Sequence, residues 1–169
     1  MLHCPLVATM DLRDNDFSAA AQRIAKQACR IALRRSHRLI DLEHVLLALL
    51  ELRPPAIRRA LDHLNTDTSS IRHDVNVVLD ALPKSASQSL TESQVQITNR
   101  VAKAIEAANH QALSLFSRRI EPEHIFLGIL GAFEQSDQDR HIFIARSLLK
   151  QGVNVAAFRA ALLRTTSGD

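Results

Sequence analysis

Two short stretches of this sequence carry side chains with binding chemistry: Asp41-Leu42-Glu43-His44 and Glu121-Pro122-Glu123-His124. Each sets two carboxylates and an imidazole within four residues, and the two stretches stand 80 residues apart. Carboxylates here suit the exposed N–H groups and positive dipole end of a helix; with histidine they also suit a metal ion. The metal reading is the weaker. His-Glu-x-x-His is absent and no two histidines stand at i, i+4, so His44 and His124 are assigned to packing or capping and no metal is expected.

Catalytic patterns are missing as well. The few glycines do not form a phosphate loop ending in Gly-Lys-Ser/Thr, and no Ser or Cys sits in a nucleophile elbow. An enzyme is not expected, nor a cofactor. The net charge of +3 comes with Arg34-Arg35, Arg58-Arg59 and Arg118-Arg119, but the acidic residues are interspersed and six Phe are the only aromatics. These arginines read as solvated helix faces, not a nucleic-acid surface. No apolar run is long enough for a bilayer, so no membrane partner is expected. Cys4 and Cys29 form neither a disulfide framework nor a metal motif, which favours a cytoplasmic location.

The elements that must position the two stretches follow from the same repeat. Each acidic head leads into an apolar run, Val45 to Leu50 and Ile125 to Leu130, that reads as a central helix. Asp41 caps the first. Pro122 fits the first helical position of the second and pushes Glu121 into N-cap geometry. Ahead of them, Ala21, Ala25, Ala28 and Ala32 make a small-residue stripe that Val101, Ile105, Ala108 and Ala112 repeat at the same offset. Ser18 caps the first helix; Thr91, in a capping-box pattern, or Thr98 caps its counterpart.

After each central helix the pattern continues. Ile57, Leu61 and Leu64 face inward, Asn65 takes a left-handed position, Thr66 or Asp67 caps a fourth helix, and Ile71, Val75, Val78 and Leu82 face inward on it. In the second copy, residues 134–140 read as a polar loop. Ile144, Leu148 and Leu149 make the next face, Gly152 replaces Asn65, and Phe158 and Leu162 answer Ile71 and Val75. The offset has grown from 80 to 87, a loop seven residues longer.

The expected fold is all-α: two tandem four-helix repeats packed with pseudo-twofold symmetry. A flexible extension covers residues 1–16, with 1–9 as a loose segment. Repeat one spans 17–82, a linker 83–90, repeat two 91–164, and a polar tail resembling a domain boundary 165–169. Symmetry also predicts two similar sites, one at each head.

Phe17-Ser18-x-x-Ala21-Gln22 followed by Ile40-x-x-Glu43-His44-Val45-Leu46-Leu47 resembles the N-terminal double-repeat domain of Clp/Hsp100 AAA+ unfoldases. Glu121-Pro122-Glu123-His124 is close to that family's Thr-Pro-Glu-His helix start, and Gly152-Val153-Asn154 is similar to its Leu-Gly-Val-Asp turn. The resemblance covers roughly residues 17–164 and implies a non-catalytic, monomeric module. It would recruit substrate or adaptor proteins to an AAA+ ATPase ring in cis or in trans, for proteolysis or disaggregation. Two alternatives within the family are a free-standing regulator that docks on a Clp complex and a helix-binding adaptor of a secretion-sheath ATPase.

In ClpC-type members the resemblance further implies that the glutamates of both Glu-His motifs bind phosphorylated arginine. Glu43 and Glu123 occupy those positions, with Asp41, His44, Glu121 and His124 supporting them. A carboxylate pairs with a guanidinium through two hydrogen bonds, and a helix N-terminus holds a phosphate. Against this, a first-turn Glu stabilises a helix dipole without any ligand, and Asp41 and Glu121 add charge that repels a phosphate.

Overall fold

The structure, a computed structural model, describes residues 16–86 and 89–166. The extension at 1–15, Cys4 within it, the linker residues 87–88 and the tail at 167–169 lie outside the described residues.

Repeat one comprises α1 (Ala19–Arg34), α2 (Leu42–Leu52), α3 (Pro55–His63) and α4 (Thr68–Ala81); repeat two comprises α5 (Asn99–Ser114), α6 (Pro122–Glu134), α7 (Asp139–Lys150) and α8 (Val155–Thr166). The all-α class and the eight helices of the described residues match the expected repeats. Local chemistry sets the boundaries. Ser18 Oγ accepts the Ala21 N–H at 3.1 Å and Thr98 Oγ1 accepts the Val101 N–H at 3.3 Å, so the same cap opens the first helix of each repeat. Asp67, not Thr66, caps α4. Asn65 and Gly152 both have positive φ, at 52° and 75°, where the chain turns out of α3 and α7.

Two parallel bridges tie the repeats together. β1 (Leu39–Ile40) pairs with β2 (Gln96–Ile97), placing Ile40 opposite Ile97. Phe17 bridges to Ile120, also in parallel. Shifted by 80 residues, each pair becomes the other: the isoleucine before each acidic head is held against the residue before the opposite repeat's first cap. Between these staples α2 and α6 pack against each other, while α3 meets α8 and α4 meets α7 across the repeat boundary. Leu42 through Leu50 is buried without a break, as a helix enclosed on all sides must be. Phe126 of α6 stacks on Phe158 of α8 with centroids 4.4 Å apart. α5 approaches α6 so closely that a Cβ on Gly128 would lie 2.2 Å from the Ala104 carbonyl oxygen.

Several expectations need correction. The Thr91 capping box closes a 3-10 turn, Glu92–Gln94, and α5 begins only at Asn99. Residues 139–140 belong to the first turn of α7, not to the preceding loop. Leu149 is 54% exposed and is not part of the α7 core face, which Ile144 and Leu148 form. α8 continues to Thr166, into the stretch expected as tail. No helix of the described residues is long and apolar enough to cross a membrane.

Candidate functional site

Both acidic heads are built the same way at their backbones. Asp41 and Glu121 are extended N-cap residues, and the histidine three positions on turns back to each of them. Its Nδ1 accepts the N-cap N–H at 3.1 Å in the pair Asp41–His44 and at 2.9 Å in Glu121–His124. Histidine thus fills the place that Glu or Gln takes in the common capping box. An accepting Nδ1 carries no proton, so both imidazoles are held in the Nε2–H tautomer. In repeat one that proton points at His37, whose Nδ1 lies 2.9 Å from His44 Nε2. Burial, then the positive charge His37 would carry, brings His44 down to about 4, against weaker upward pulls from Glu43 and Asp41. Burial also lowers His124, with Glu121 opposing it.

Beyond the backbone the heads differ. Glu43 is fully buried and Asp41 nearly so. Arg140, in the first turn of α7, closes over both: Nε donates to Glu43 Oε1 at 2.8 Å and Nη2 to Asp41 Oδ2 at 2.7 Å. Arg100 Nη1 lies 3.4 Å from Asp41 Oδ2, and Thr98 Oγ1 donates to Asp41 Oδ1 at 2.8 Å. His141 Nε2 lies 3.0 Å from Glu43 Oε1, while its Nδ1 lies 2.7 Å from Ser136 Oγ. Burial pushes the Glu43 carboxyl upward, but its contacts with His141, its own backbone N–H and Arg140 outweigh burial and hold it below the usual range. Asp41, Glu43 and His141 bring ligand atoms within 4.8 Å of one another. The cation they already hold is the Arg140 guanidinium, which spans the two carboxylates with Arg100 beside it. That arrangement suits an internal ion pair better than a metal.

At the second head Glu123 is only partly buried and makes no ion pair among the described residues. Burial raises its carboxyl, the neighbouring Glu121 raises it further, and its own backbone N–H and Arg59 only partly offset this. The expectation of two similar sites is therefore corrected. The cause lies after the central helices, where the repeat offset is 87. Arg53 and Pro54 stand where α7 places Arg140 and His141. Arg53 caps the end of α2 with φ 45°, and proline has no side chain that can bond a carboxylate.

The sequence-predicted residues thus gather into two clusters on opposite repeats: Asp41, Glu43 and His44 in one, Glu121, Glu123 and His124 in the other. Arg140, His141 and Arg100 were missed. Arg140 is 97 residues from Glu43, and no spacing rule links a first-turn arginine to a partner that far away.

The family described as the Clp repeat (R) N-terminal domain matches residues 16–139. A probable ATP-dependent Clp protease ATP-binding subunit of Chlamydia pneumoniae is 33% identical over 125 residues, covering 72% of this chain and 14% of that protein. The chain thus spans about one seventh of that relative's length. Among solved structures, the Hsp104 N-terminal domain of Candida albicans superposes with a TM-score of 0.72 at 14% identity, covering 91% of this chain and 93% of the other. The N-terminal domain of the chaperone ClpD of Arabidopsis thaliana does so with a TM-score of 0.65 at 20% identity, covering 94% and 99%. At these identities the structures speak for the fold.

Proposed function

Because the chain belongs to the Clp repeat (R) N-terminal domain family, we propose that it is a non-catalytic docking module that brings substrate or adaptor proteins to an AAA+ unfoldase ring, in cis or in trans. The observation that carries this reading is the difference between the heads. In repeat one a guanidinium of the chain itself bridges the two carboxylates. In repeat two Glu121 and Glu123 present the same pair of carboxylates, and among the described residues no arginine forms an ion pair with either, although Arg59 is near enough to lower Glu123.

The Arg140 contact is thus an internal template for what the second head binds: an arginine side chain of a partner protein, bridging Glu123 and Glu121 through two charge-assisted hydrogen bonds. A phosphate on that arginine would turn toward the α6 N-terminus, favoured by its N–H groups and opposed by Glu121. Calorimetric titration with phosphoarginine and with N-acetyl-arginine amide separates the marked from the plain ligand. Saturable binding of either one, weakened about tenfold or more by Glu123→Gln, is the expected result. No binding of either ligand by the wild type would refute arginine docking.

A further inference from the structure

The first helix of each repeat ends in the same turn, carrying different side chains. Ser36 after α1 and Phe116 after α5 both adopt left-handed backbone, with φ of 58° and 56°. The bond closing the turn is also the same: His37 N–H to the Ala32 carbonyl and Ser117 N–H to the Ala112 carbonyl, both 2.9 Å. Glycine and asparagine suit this backbone, and a bulky side chain there is an outlier. Burial does not explain the phenylalanine, because Phe116 is 96% exposed.

In repeat one this corner is polar and covered by the chain itself. The Ser36 carbonyl accepts the Ser85 N–H at 2.7 Å, so residues 83–85 cross it. Arg35 is tied to α4 through Asn76, at 2.5 Å, and Asp80. In repeat two the counterpart of Arg35 is Leu115, and Leu113 is 63% exposed one turn before Ser117. Among the described residues nothing donates to the Phe116 carbonyl. Arg118 and Arg119 are exposed beside it, and Arg159 of α8 reaches the same corner by donating to Ser114 Oγ at 3.0 Å. None of these three arginines has a carboxylate partner among the described residues.

We propose that the corner formed by Leu113, Phe116, Arg118, Arg119 and Arg159 docks an extended, acidic and apolar segment of a partner protein, laid over the Phe116 carbonyl as residues 83–85 are laid over Ser36. The phenylalanine supplies an aromatic anchor, and the three guanidiniums select carboxylates flanking the apolar contact. This goes beyond the arginine-docking reading. It concerns a different face and the opposite ligand charge.

The test is fluorescence anisotropy with the full chain and two labelled synthetic peptides. One carries a Phe-Leu pair flanked by Asp and Glu; the other has lysines in place of the acids. The acidic peptide should bind saturably, more weakly as salt rises, and the lysine peptide should not bind. Phe116→Ser, which installs repeat one's own turn residue, and the pair Arg118→Glu/Arg119→Glu should each weaken binding about tenfold. Phe116→Ser buries nothing less, so it should melt no lower than the wild type. Glu123→Gln should bind the acidic peptide unchanged, which separates this corner from the acidic head. The proposal is overturned by a wild type that does not bind the acidic peptide, by equal binding of the lysine peptide, or by unchanged binding in both corner variants. Self-association of the wild type that Phe116→Ser abolishes would also overturn it, because the corner would then belong to a second copy of the chain.

Discussion

Arg140 and Glu43 are 97 residues apart in the chain and 2.8 Å apart in the fold. The contact joins the first turn of α7 in repeat two to the first turn of α2 in repeat one, and it leaves Glu43 no access to solvent. The carboxylates of the first head therefore serve the joint between repeats. Those of the second head form no ion pair across it among the described residues, with Arg59 of α3 acting on Glu123 only from a distance.

Truncating Arg140 strands two buried carboxylates with only Arg100 and His141 nearby. Arg140→Ala should lower stability by roughly 2–4 kcal/mol, somewhat below the usual figure for breaking a buried pair because Arg140 is itself partly exposed. Arg140→Met combined with Glu43→Gln and Asp41→Asn should recover much of that loss, since no buried carboxylate is then left uncompensated and Arg100, at 37% side-chain exposure, stays hydrated. Urea denaturation of the single and triple variants measures both. A single variant within about 0.5 kcal/mol of wild type would show that the pair is not structural.

The histidine relay makes stability depend on pH. His44 has its folded value depressed to about 4 from an ordinary 6.5, so the unfolded chain binds its proton first as pH falls. The stability it contributes is complete above pH 6.5 and is lost progressively between 6.5 and about 4. The loss is of order 3 kcal/mol in full. Burial lowers His37 and His124 in the same sense. Glu43, also depressed, adds its own loss as pH falls below the ordinary carboxylate value. His44→Gln keeps a side chain that can accept the Asp41 N–H and removes the titration. Thermal melts from pH 7 to pH 4.5 should therefore fall less steeply for the variant than for the wild type.

Gly128 tests the packing of α5 on α6. A methyl group there would meet the Ala104 carbonyl oxygen at 2.2 Å, and a backbone oxygen in a helix cannot swing aside. Gly128→Ala should destabilise by about 3 kcal/mol, despite alanine's better helix propensity. The repeat-one position 80 residues earlier is already Ala48, so α1 and α2 cannot be as tightly apposed there. Chemical denaturation checks it; a more stable variant would mean that the two helices sit farther apart.

The repeat makes much of this fold readable from the residues alone. Ser18, Asp41, Thr98, Asn65 and Gly152 are caps or turn residues whose chemistry is local, and each stands where its type predicts. What stayed hidden was chemistry made between distant segments. Arg140 looked like part of a polar loop because residues 134–140 have no apolar period, and its partners lie in the other repeat. Leu149 reads as core because it continues an apolar run, yet no helix of the described residues covers it. The bridges Ile40–Ile97 and Phe17–Ile120 were also unforeseen, since two-residue strands leave no alternation to detect.

The stoichiometry of arginine-type ligand binding tests the central claim most directly, namely that one acidic head is open and the other is closed by Arg140. Calorimetry with phosphoarginine or N-acetyl-arginine amide should return one site per chain for the wild type, weakened about tenfold or more in Glu123→Gln. Binding should weaken as pH falls through the raised range of Glu123, where its carboxylate takes up a proton. Two equivalent sites per chain in the wild type, or one that Glu123→Gln leaves unchanged, would contradict the account.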